Sequence, residues 1–204
     1  GDIITLLLIA LIFLPTEYRI KEWINIKKIS IEEYFNIFIL GIGITILLLF
    51  LSSILTKLIP SYTEVANQLA TSRVSVLQLI ITIVLIPIYE EIFYRGIIFG
   101  YLKKEFNTIV SVIVQALVFG FMHLNLVQGI YTFIFGIVLA LVYMYSNSIL
   151  GNITVHITFN LLGILIIPKL LENFPNMSIV LLIVGFVFVI FSSIKMIGKY
   201  DKYL

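Results

Sequence analysis

Seven long apolar runs decide what this chain can fold into. They lie near 3–14, 35–59, 74–102, 108–123, 126–146, 148–167 and 177–197. Lipid gives backbone amides and carbonyls no partners, so runs of this kind must be helices. The strand-sized alternation of an outer-membrane barrel is absent. Hydrophobic residues make up 61% of the 204 and charged residues 12%, and the mean hydropathy is +1.15. A soluble domain is about half apolar and about a quarter charged. The expected fold is all-α: one polytopic transmembrane bundle over 1–204, of about seven helices. The first run falls short of the ~20 residues a full span needs and shows no signal-peptide cleavage pattern. A helix missing at the N-terminal end would raise the number to eight.

The net charge of +2 is too small to suggest nucleic acid. With no cysteine, disulfides, thiolate metal sites and a cysteine nucleophile are excluded. Lysine and arginine between the runs set the orientation. Arg19, Lys21, Lys27, Lys28, Lys103, Lys104, Lys195, Lys199 and Lys202 fall on one side if the runs alternate, against Lys57, Arg73 and Lys169 on the other. Nine against three predicts a cytoplasmic C-terminus in a cell membrane. The 15–34 loop, with Trp23 at its centre, reads equally as an interfacial anchor or a solvated connector.

Charge inside lipid is the second constraint. Each buried charge costs about 2.5–3.5 kcal/mol on insertion scales, yet Glu90, Glu91 and Arg95 stand within six residues. Glu91 and Arg95 are four apart and share a helix face, so they can pair. Glu90 is turned about 100° away and is left for another task. Both histidines, His123 and His156, also sit at or inside apolar runs, His123 four after Phe119 and His156 four before Asn160. Counted from the cytoplasmic helix ends at ~1.5 Å per residue, Glu90, His123 and His156 lie roughly 18, 22 and 12 Å deep. One wet cavity could hold all three. Glu with His can take a proton from water. Two His, a Glu and an Asn also resemble a metal-binding set, although the helical zinc signature is absent. Pro87, three residues before Glu90, is expected to kink its helix and open a water path.

Other polar and small residues receive plainer readings. Asn125 and Gln128 are expected to be hydrated in a turn, and Gln115 to bond a neighbouring helix. Gly41, Gly43, Gly136 and Gly163 are expected at close helix contacts.

In "EEIFYR", "FGFMH" and "HITFN", the chain resembles the CPBP family of intramembrane proteases, which includes Rce1-type CAAX prenyl endopeptidases and bacterial Abi proteins. The resemblance covers roughly 75–198. It implies proteolysis within the membrane, on a membrane-embedded or lipidated peptide. Glu90 would activate a water with His123 as its partner. His156 and Asn160 would stabilise the oxyanion, and Glu91 and Arg95 would form a supporting pair. The family also implies a possible divalent metal such as zinc, on Glu90, His123, His156 and Asn160, or a metal-free glutamate mechanism. Ten lysines to three arginines lean toward an AT-rich bacterial source, and so toward peptide maturation or bacteriocin self-immunity rather than prenyl-protein processing. Two rival classes are a non-catalytic docking or immunity protein and an ion carrier. A carrier should show repeats or paired broken helices, and neither is visible in the sequence.

Overall fold

A computed structural model describes residues 24–59, 62 and 75–200. The apolar run near 3–14, Trp23, and the cations Arg19, Lys21, Arg73 and Lys202 lie outside the described residues. Six helices account for the remaining runs: α1 (Ile31–Leu58), α2 (Val76–Glu105), α3 (Thr108–Phe121), α4 (Leu126–Ser146), α5 (Ile149–Asn173) and α6 (Ser178–Tyr200). No strand occurs among the described residues. All except α3 are long and apolar enough to cross a membrane; the protein is an integral membrane helical bundle.

Polar residues at the helix starts explain most boundaries. Ser30 with Glu33, and Ser75 with Gln78, form reciprocal capping boxes at α1 and α2. Asn107, Asn125 and Ser148 cap α3, α4 and α5 through their side-chain oxygens. Each satisfies N–H groups that the first helical turn cannot. Asn125 is thus a cap rather than a merely hydrated residue. Gln128 is half-buried and hydrogen-bonded to Tyr62 and Tyr131.

Two helices change pitch before a proline. In α2 the segment Ile81–Leu85 is π-helical and leads into Ile86–Pro87. In α5 the segment Leu162–Ile166 is π-helical and leads into Ile167–Pro168. A proline ring collides with the carbonyl four residues back, and a wider turn makes room for it. This is why α5 runs on to Asn173 instead of stopping near 167. Neither helix unwinds.

The core joins α1, α3, α4 and α5 through Ile37, Leu40, Phe119, Phe135, Leu139 and Val155. At one end, Lys195 pairs with Glu32 and Lys199 with Glu33, so α6 closes on the start of α1. At the same end Ser148 Oγ donates to Lys27 O (2.7 Å) and Ile149 N donates to Asn25 O (2.8 Å). The 24–30 connector is therefore docked on the α4–α5 turn. Lys27, Lys28, Lys195 and Lys199 gather there, as the alternation of runs predicts.

Glycines set the closest approaches. A Cβ on Gly41 would lie 3.3 Å from Thr158 of α5, on Gly43 2.9 Å from Phe188 of α6, and on Gly136 3.0 Å from Ala116 of α3. Gly163 differs from the expectation: its nearest neighbour, Leu49, would sit at an ordinary 3.7 Å. The tightest site is Gly120, where a Cβ would stand 2.7 Å from the Gly129 carbonyl of α4. Backbone cannot yield as a side chain can, so Gly120→Ala is expected to cost about 1–3 kcal/mol. The loss should appear as a lower unfolding temperature in detergent, with Gly163→Ala nearly silent beside it.

Candidate active site

The site begins on α2. Its π-helical segments, Ile81–Leu85 and Ile92–Phe99, flank the α-helical stretch Ile86–Glu91 that carries both carboxylates. Glu91 and Arg95 are fully buried, and Arg95 Nη1 donates to Glu91 Oε1 at 3.0 Å. The pairing follows from their four-residue spacing. The guanidinium is held twice more: Nη2 reaches the Gly136 carbonyl of α4 (3.4 Å), and its centre lies 4.7 Å over the Phe119 ring of α3. Gln115 Nε2 donates to the same Gly136 carbonyl at 2.8 Å. Gln115 does find its partner on a neighbouring helix, as expected, but at a carbonyl that also anchors the site's arginine.

His156 arrives from α5 and lies between the two carboxylates. Its Nδ1–H donates to Glu91 Oε1 at 2.6 Å. Its Nε2 lies 3.4 Å from Glu90 Oε2. The His156 side chain is 5% exposed and that of Glu90 20%. Of the two carboxylates, Glu90 is the one that meets solvent-accessible space. Phe119 and Phe135 present their rings edge-on to the imidazole, at 5.9 and 5.2 Å between centroids. Apolar walls of this kind strengthen every charge interaction between them.

His123 lies just beyond the C-terminal end of α3. α3 has 14 residues, about 21 Å of rise against a ~30 Å hydrocarbon core. Its end therefore falls within the membrane, and His123 lies just past it. The imidazole Nδ1–H donates to the Phe119 carbonyl at 2.9 Å, and the ring stands edge-on to Phe119 at 5.1 Å. Phe119 thus separates the two histidines, with Arg95 against its face. The Nε2 of His123 points away from its own helix turn.

Asn160 is a turn beyond His156, and its Nδ2 donates to the Thr82 carbonyl of α2 at 2.9 Å. The six residues singled out in sequence consequently fall into two arrangements. Glu90, Glu91, Arg95 and His156 form one continuous chain of contacts, which His123 approaches across Phe119. Asn160 is joined to the α2 backbone. Glu90 faces His156 rather than His123.

The four side chains considered for zinc each have partners within the protein. His156 has a carboxylate at each ring nitrogen, and Asn160 is engaged with Thr82. Among the described residues no three His, Asp or Glu side chains come together in a metal-binding group.

Residues 72–162, a little under half of the chain, match the family model described as type II CAAX prenyl endopeptidase Rce1-like. The match spans Glu90, Glu91, Arg95, His123, His156 and Asn160, and bears out the resemblance drawn from the three motifs. Neither the curated proteins nor the solved structures include a match.

Proposed function

We propose that this chain, with the Rce1-like match over residues 72–162, is an intramembrane endopeptidase acting on a lipidated or membrane-embedded peptide. One observation carries the reading: an imidazole held between two carboxylates, one buried and one partly exposed, inside membrane-spanning helices. Structural packing alone gives no reason to accept the insertion cost of such a set.

The chemistry follows from the order of contacts. Glu91, fixed by Arg95, fixes His156 through Nδ1–H. A proton between His156 Nε2 and Glu90 Oε2 keeps two lone pairs from facing each other. Glu90 takes a proton from a water, and the hydroxide adds to the scissile carbonyl. As Glu90 becomes neutral it loosens its hold on the His156 Nε2–H, which turns to the new oxyanion. Glu90 then passes its proton to the departing nitrogen as the C–N bond breaks. His123, with its Nδ1–H committed to Phe119, offers a bare Nε2 to the second hydrogen of the attacking water. The products are an amine and a carboxylic acid, which becomes the carboxylate as its proton passes to His123 Nε2. No step needs a resident metal.

Substrates reach the site from the bilayer or from the lysine-bearing end, which we assign to the cytoplasm of a bacterial cell. The lysine-rich composition supports peptide maturation or bacteriocin self-immunity as the biological setting. Protein reconstituted in vesicles is expected to cleave an internally quenched peptide carrying a prenylated cysteine, or a membrane-embedded quenched peptide without the prenyl group. Activity should persist after treatment with a strong zinc chelator. Cleavage of neither peptide would defeat the proposal, and loss of cleavage restored by zinc would defeat its metal-free form.

A further inference from the structure

Asn160 has the motif position of an oxyanion-binding group, but its amide is engaged elsewhere, and the local backbone gives the reason. In the π-helical stretch of α2 the hydrogen bonds span five residues: Ile86 N–H donates to Ile81 O. The next donor in that register belongs to residue 87 and would serve Thr82 O. Residue 87 is proline and has no N–H. A peptide carbonyl within a membrane-spanning helix needs a donor, and Asn160 Nδ2 supplies one from α5 at 2.9 Å.

We infer that Asn160 is a positioning residue: its amide replaces the hydrogen bond that Pro87 removes, and so locks the axial register of α2 against α5. Both sides of that register carry the reacting groups. Glu90 follows Pro87 by three residues, and His156 precedes Asn160 by four. The 3.4 Å spacing between Glu90 and His156 is the distance this bond controls. The bond belongs to the fold, and holds whether or not the chain hydrolyses peptides.

Restoring the missing N–H tests the inference. Asn160→Ala, Pro87→Ala and the double variant are compared with the parent for cleavage of the quenched prenyl peptide and for thermal unfolding in detergent. Misplacement of reacting groups by an ångström costs on the order of a hundredfold, and Asn160→Ala should lose about that much where Pro87 is present. In the Pro87→Ala background the backbone N–H at position 87 can serve Thr82 O. There Asn160→Ala should cost less than about threefold in rate, and its shift in unfolding temperature should shrink in parallel. Pro168→Ala makes the same local change in α5 and should leave the cost of Asn160→Ala undiminished. Equal loss of cleavage in both backgrounds would overturn the inference, because Asn160 would then act on the reacting atoms themselves. If Pro87→Ala is inactive, or the parent cleaves neither quenched peptide, the unfolding temperatures decide: coupled shifts support the bond's role and additive shifts overturn it.

Discussion

Glu90→Gln is expected to lower the proposed cleavage on the order of 10³ in turnover and to leave the fold intact. The substitution keeps the shape of the side chain and removes only its capacity to take a proton. Glu90 is the more exposed of the two carboxylates, and the buried Glu91 keeps its own bond to Arg95. The unfolding temperature should stay close to the parent's, because a glutamine amide can still face His156 Nε2. Binding of the quenched peptide should survive, so the variant can hold substrate and reveal it by crosslinking. A docking or immunity protein would tolerate the change. Retained cleavage would remove Glu90 from the chemistry. A large drop in unfolding temperature would make it a structural residue instead.

The sequence was most legible where physics acts through spacing. Apolar runs located all six described helices, with α4 at Leu126–Ser146 falling on the run read at 126–146. The four-residue step from Glu91 to Arg95 foretold their ion pair, and that from Phe119 to His123 foretold the ring contact. What spacing leaves open are contacts between helices and backbone pitch. No spacing reveals that Glu90 meets His156 rather than His123, since that depends on the tilt of α2 against α5. Nor does it reveal that Gln115 and Arg95 converge on one carbonyl, although Gln115, Phe119 and His123 repeat at four-residue steps along one line of α3. The motif ties Asn160 to His156, whereas its bond to Thr82 O answers an N–H missing five residues downstream of Thr82. Pro87 carried that signal in the open: a buried proline in a membrane helix orphans a carbonyl, and some neighbour must supply a donor.

Arg95→Met should be strongly destructive. The guanidinium is completely buried, and it joins three helices: it bonds Glu91 on its own helix and Gly136 on α4, and it lies against Phe119 on α3. Methionine fills similar space but leaves the Glu91 carboxylate buried with only His156 to offset its charge. Breaking a buried pair by removing one partner costs about 3–5 kcal/mol, a large share of the roughly 5–15 kcal/mol that holds most folds. Folded yield in detergent should collapse, and the surviving fraction should unfold many degrees below the parent. The double variant Glu91→Gln/Arg95→Met removes both charges and should recover much of that stability, because an uncharged pair of similar volume is tolerated in such positions. It should nevertheless stay inactive, because His156 Nδ1–H then meets an amide instead of the carboxylate that orients it. Recovery of folding without recovery of cleavage is the signature of a charge pair whose attraction is needed for catalysis and whose burial is a cost to the fold. An Arg95→Met protein as stable as the parent would show instead that the pair is open to water, and the low-dielectric setting on which the Glu90–His156 chemistry rests would be lost with it.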